Sequence, residues 1–126
     1  MSVHEMHLKA INAYNTAYAK YSKFKVGASV LCSENVFSGC NIENASYGAT
    51  VCAERVAIWK AISEMGPDSK IEKLCLVTKD GDVPCGLCLQ VMSEFMTPET
   101  EIIICTEHEV KHVKVFKDFM PYTFTL

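Results

Sequence analysis

At 126 residues, with 49% apolar and 21% charged residues and a formal net charge of −3, the chain is long enough for one domain with a real core and too short for two. This composition excludes a disordered chain, and an acidic balance with scattered lysines argues against a nucleic-acid partner, which calls for a basic surplus or stripe. Seven cysteines are an odd count, and the start, Met1-Ser2-Val3-His4-Glu5-Met6-His7, carries no apolar signal region, so the expectation is a reduced, cytoplasmic protein without a disulfide framework. No uninterrupted apolar run approaches a membrane-spanning length, and no membrane partner is expected.

In chain order, residues from about Val3 to Lys20 predict a helix, with Met6, Ala10, Ala13 and Ala17 at helical spacing. The runs Val26 to Cys32 and Val36 to Cys40, joined by Ser33-Glu34-Asn35, predict a hairpin. A polar loop, Asn41 to Thr50, leads to a second helix from near Cys52 to Met65, stopped by Gly66-Pro67. Val56, Ala57, Ile58, Trp59, Ala61 and Ile62 occupy most of its circumference, so it must be covered by the sheet on one side and by something else, most economically another subunit, on the other.

A strand over Leu74 to Thr78, a helix over Gly86 to Met96 and a strand over Ile102 to Cys105 follow. Strands alternating with helices predict parallel neighbours joined by crossovers. Only Thr106 to Glu109 precedes the last strand, Val110 to Phe116, and four residues cannot hold a crossover, so the final pair is expected to be antiparallel. The apolar tail, Phe119 to Leu126, is expected to dock. Cys32, Cys40, Cys75 and Cys105 fall in strands and read as small buried hydrophobes. The histidines at positions 4, 7, 108 and 112 read as solvated surface groups.

The chemistry concentrates in Cys52-Ala53-Glu54-Arg55 and Pro84-Cys85-Gly86-Leu87-Cys88. Both lie where a helix begins, and helix N-termini favour negative charge. Three thiols with an open fourth position form the pattern of a catalytic zinc, one ion per chain. Glu54, beside a ligand, suits proton transfer better than completing a thiolate cage. A lone Cys-x-x-Cys also fits redox motifs and halves of structural zinc sites, so a structural zinc closed by a fourth cysteine and a thiol redox site stand as alternatives.

These two segments, with Tyr21-Ser22-Lys23-Phe24-Lys25-Val26-Gly27-Ala28 and Gly39-Cys40-Asn41-Ile42-Glu43-Asn44-Ala45-Ser46-Tyr47-Gly48, resemble the cytidine deaminases of the small, three-cysteine, homotetrameric type. The zinc signature is that of the nucleobase deaminases. The resemblance implies an α/β fold, a three-layer α/β/α sandwich with a mixed five-stranded sheet and an antiparallel last strand, forming a single catalytic domain over residues 1–126. It implies hydrolytic deamination of cytidine and deoxycytidine to uridine and deoxyuridine in pyrimidine salvage. By the same resemblance, zinc is expected to be held by Cys52, Cys85 and Cys88, with Glu54 carrying protons between the attacking water, N3 and the departing amino group. The resemblance also implies that Asn41 and Glu43 take the ribose hydroxyls, with Ile42 and Ala53 lining the substrate site. It further implies that Phe24 packs on the pyrimidine, that Arg55 donates to the thiolates, and that Ala45, Tyr47 and Phe124 come from neighbouring subunits of a homotetramer. Read without the family, Asn41 and Glu43 are ordinary loop polars and Phe24 is core.

One departure stands out: Leu89 occupies the place after the last cysteine where the family commonly carries arginine. Two competing readings remain, a deaminase of another amino-heterocycle nucleoside and a non-catalytic zinc-stabilised binding module.

Overall fold

The structure is a computed structural model that describes residues 1–126. Helix α1 (Val3–Asn15) starts at Ser2, whose hydroxyl accepts the Glu5 N–H at 3.1 Å, a serine N-cap of the kind that stabilises a first turn. The helix buries Met6, His7, Ala10 and Ala13 and stops five residues short of the sequence expectation. Thr16 turns its hydroxyl back to the Ala13 carbonyl (2.9 Å), and Tyr18 pairs with Ile42 as a parallel bridge. The backbone groups of Tyr18 thus find partners on the loop after the hairpin, which outweighs the helix propensity of Ala17 and Ala19.

Strands β1 (Gly27–Cys32) and β2 (Asn35–Cys40) form the expected hairpin, with Cys32 opposite Asn35. Its two-residue turn puts Ser33 and Glu34 at φ 50° and 68°, the double left-handed geometry that matches strand twist. Helix α2 (Ala53–Met65) follows, then β3 (Lys73–Val77), α3 (Gly86–Ser93), β4 (Glu101–Cys105), β5 (Val110–Val115) and a short α4 (Phe116–Phe119). The sheet order is β2-β1-β3-β4-β5. Of its neighbours only β3 and β4 are parallel, and β4 and β5 are antiparallel as their short connection requires. The expectation that the strands alternating with helices are parallel neighbours therefore holds for β3 and β4 and is corrected for β2 and β3. Strands β2 and β3 run the same way, but β1 lies between them, antiparallel to both, because the crossover through α2 passes over the hairpin's own first strand.

Alternation along the strands divides the core into two layers. Leu74, Leu76, Ile102 and Ile104 face α2 and α3, while Cys75, Val77, Ile103 and Cys105 face α1. The result is a three-layer α/β/α sandwich. Full burial of each such aliphatic side chain stabilises the fold by about 1.5–3 kcal/mol. Two glycines let helices lie directly on strands: a Cβ at Gly27 would collide with the Ala10 carbonyl oxygen and Tyr14 nitrogen of α1, and one at Gly39 would stand 2.7 Å from the Ala57 nitrogen of α2.

His7 is not a solvated surface group. It is buried, and its Nε2–H donates to the Thr106 carbonyl at 2.7 Å, which ties α1 to the end of β4. Cys32, Cys75 and Cys105 are buried hydrophobes as expected, with the Cys75 and Cys105 sulfurs 3.6 Å apart, whereas Cys40 is only half-buried and its thiol donates to the Thr16 carbonyl at 3.7 Å. The tail meets α3 through Gln90, whose side-chain N–H donates to the Phe124 carbonyl at 3.3 Å. Its side chains, Tyr122, Phe124 and Leu126, stay exposed. No helix is long and apolar enough to cross a membrane.

Candidate active site

Cys52 and Cys85 are the N-cap residues of α2 and α3, and neither side chain makes a capping hydrogen bond. Serine or aspartate at that position would turn back onto the helix. A thiol is a weak acceptor and leaves its sulfur free, so both sulfurs point away from their helices and towards each other. Cys88, one turn into α3, is fully buried beneath them. The three Sγ atoms lie within 4.8 Å of one another, close enough to bind a single ion. Thiolate donors suit zinc, and the unpaired N–H groups at two helix starts add positive potential.

The local electrostatics match this donor set. The hydrogen bond with Cys88 holds the Cys52 thiol down to about 5; the Arg55 donor and charge assist, while burial opposes. Cys88 is driven upward by the same hydrogen bond and by burial. Arg55 lies against the Cys52 sulfur: Nη2–H donates to Sγ at 3.4 Å. The guanidinium sits 5.7 Å from the Trp59 ring, which holds it from the outside, and its buried Nε has no partner. Leu89, at the position of the departure, is buried in the core beside Met92. Arg55 is thus the cation that contacts the cluster.

Glu54, at the second position of α2, is 4% exposed, and burial pushes its carboxyl up to about 7. Glu54, Cys52 and Cys85 line one end of a cavity of about 280 Å³, and Phe24, Asn41 and Glu43 line it as well, a volume near the lower end for small-molecule sites. Asn41 clamps the aromatic strap, with Oδ1 accepting the Val26 N–H (2.9 Å) and Nδ2–H donating to the Phe24 carbonyl (2.8 Å).

The remaining sequence-predicted residues lie elsewhere in this chain. Ala53 is buried at the first position of α2. Ile42 faces outward into a groove between α1 and β2, because the bridge it makes with Tyr18 and Val51 alternates Asn41 and Glu43 inward. Ala45 and Tyr47 are exposed, and Phe124 lies over α3, so none of these three enters the cavity from its own chain. The sequence reading passed over Ser22, Thr50, Thr78 and Asp82, all on the cavity wall. Ser22 lay inside the quoted strap motif, and that was its signal. Nothing local marks Thr78 or Asp82.

The family model for the cytidine and deoxycytidylate deaminase zinc-binding region matches residues 1–105. This chain belongs to the cytidine deaminase family. It is 40% identical to the cytidine deaminase of Halalkalibacterium halodurans over 93% of this chain and 89% of that one. Among solved structures, the cytidine deaminase of Burkholderia pseudomallei superposes with a TM-score of 0.92 at 36% identity, covering 98% of this chain and 100% of the other. The cytidine deaminase of Mycobacterium tuberculosis superposes with a TM-score of 0.82 at 33% identity, covering 100% and 99%. The fold and the cysteine triad are thus those of the cytidine deaminase family.

Proposed function

We propose that this chain, as one catalytic domain over residues 1–126, hydrolyses cytidine and deoxycytidine to uridine and deoxyuridine plus ammonia, with one zinc ion held by Cys52, Cys85 and Cys88. The observation that carries the reading is the sharing of one cavity by the sulfur cluster, the buried Glu54 carboxyl and the Asn41–Glu43 pair. Zinc held by Cys52, Cys85 and Cys88 would supply a Lewis acid able to draw a bound water towards hydroxide near neutral pH.

The protein's own residues do the rest. Glu54 accepts a proton from the attacking water and delivers it to N3 of the pyrimidine. The water oxygen bonds to C4; Glu54 then takes the remaining proton from the new C4 hydroxyl and passes it to the N4 amino group, so that the C4–N4 bond breaks, ammonia leaves and C4 becomes the carbonyl of uridine. Phe24 flanks the ring and Asn41 and Glu43 take the sugar hydroxyls. The N–H of Ala53, unpaired within its helix, is a donor for the base. Arg55 stabilises the thiolates through its hydrogen bond to Cys52.

Ala45, Tyr47 and Phe124 complete the site across a homotetramer; their exposure in one chain supports this. A cytoplasmic location and a place in pyrimidine salvage follow from the same reading. The cavity lining carries Glu43, Glu54 and Asp82 and no lysine, arginine or histidine, so an uncharged nucleoside fits it better than a phosphorylated one.

Metal analysis and the ultraviolet spectrum of cytidine test this together. About one zinc per chain, loss of it on Cys88→Ala and conversion of cytidine to uridine are expected, with cytidine monophosphate a poor substrate. A metal-free protein, or efficient turnover of the monophosphate, would contradict the proposal.

A further inference from the structure

The Glu43 carboxylate is surrounded by one short segment. Its Oε1 accepts the backbone N–H groups of Tyr21 and Ser22, each at 2.9 Å, and its Oε2 accepts the Ser22 hydroxyl in a short contact. A carboxylate offers about four acceptor places. Three are filled, and the place left on Oε2 is the one available to a ligand in the cavity that Glu43 lines. The Ser22 oxygen also accepts the Phe24 N–H at 3.0 Å. One hydroxyl therefore ties the carboxylate to the aromatic wall.

The intervening Lys23 is at φ 62°, a left-handed conformation that a long L side chain adopts at a cost. Bonds to Glu43 on one side of the turn and to Asn41 on the other hold it there. Ser22 and Glu43 also form the partition between the main cavity and a recess of about 110 Å³ lined by Tyr21, Asn44 and Tyr47. The hydrogen bonds to Glu43 keep its carboxyl below the usual range, Ser22's hydroxyl foremost, so the group presented to the cavity is the anion, an acceptor.

We infer that Ser22 is a positioning and specificity-determining residue: its hydroxyl fixes the Glu43 carboxylate and Phe24 together, so that the cavity selects nucleosides by their sugar hydroxyls. The inference rests on the proposed reading of Glu43 as a sugar-binding group. Ser22→Ala removes the hydroxyl and leaves both backbone donors in place, so the turn persists while the carboxylate gains freedom.

The test is steady-state kinetics of the zinc-loaded protein on cytidine and on 2′,3′-dideoxycytidine, which lacks the 2′ and 3′ hydroxyls. Ser22→Ala should raise KM for cytidine about tenfold, as loss of a hydrogen bond to a charged group does, and shift kcat by no more than about twofold. The preference for cytidine over the dideoxy analogue in kcat/KM should shrink by a similar factor. Ser22→Thr, which keeps the hydroxyl, should restore both values. In a Glu43→Ala background, Ser22→Ala should add nothing further, because both changes break one unit.

Equal losses on the two nucleosides, failure of Ser22→Thr to restore them, or multiplication of the losses in the double variant would each overturn the inference. Absence of any deamination by the unmodified protein would instead remove the functional reading beneath it. Should Ser22→Ala not yield folded protein, Ser22→Cys, a weaker donor at the same place, carries the same comparison with an intermediate loss.

Discussion

Two side chains beside the sulfur cluster have separable tasks. Glu54 is almost wholly buried, and that burial pushes its carboxyl up to about 7, so Glu54→Gln keeps shape and hydrogen-bond reach while removing the proton carrier. We expect kcat for cytidine to fall on the order of 10³-fold, with zinc content at the level of the unmodified protein. Comparable turnover would refute the assignment. Arg55 touches the Cys52 sulfur and is braced by Trp59. Three thiolates bring a surplus of negative charge to a divalent ion, and a donor at one sulfur draws part of it back. With Leu89 offering no charge, Arg55→Gln should speed zinc release to a chelator about tenfold and lower kcat more than KM. Zinc release at the rate of the unmodified protein would show that Arg55 does not act on the cluster.

At the scale of elements, the site is a meeting of two helix starts held by packing around the sheet. Helix α2 lies on β2 and β1, α3 packs against α2, and α1 covers the opposite face. The absence of a side chain at Gly27 is what allows α1 to seat. Gly27→Ala would drive a methyl group into the Ala10 carbonyl and the Tyr14 nitrogen, and overpacking of this kind destabilises by about 1–3 kcal/mol. We expect a lower denaturant midpoint at an unaltered m-value, and an unshifted midpoint would mean that α1 has room to move. Because α1 ends where Tyr18 bridges Ile42, part of this loss should also loosen the loop that carries Asn41 and Glu43.

At the scale of the molecule, one chain leaves conspicuous apolar surface. Trp59 is 49% exposed on α2 and Phe124 66% exposed in the tail, and Tyr47 and Tyr122 are barely covered. Exposed aromatics on several elements are expected where copies of a chain associate. On the proposed homotetramer, sedimentation should give a species larger than one chain, and Trp59→Glu should shift it towards smaller species with a matching loss of activity. A stable monomer with full activity would exclude the shared site.

Much of the site was legible because it is local. Cys52-Ala53-Glu54 and Cys85 to Cys88 each sit within a few residues of a helix start, where capping and dipole act over one turn. The antiparallel last pair followed from a four-residue connection, and the hairpin from its spacing. What tertiary structure decided were the outcomes in which distant backbone competed with local propensity: the early end of α1 at Thr16, the insertion of β1 between β2 and β3, and the burial of His7 against Thr106. The same holds for the inward turn of Asn41 and Glu43 around an outward Ile42, and for Ser22 as the partner of a carboxylate 21 residues away. Sequence spacing specifies which groups share a turn; which groups share a cavity depends on contacts that exist only once the helices have packed onto the two faces of the sheet.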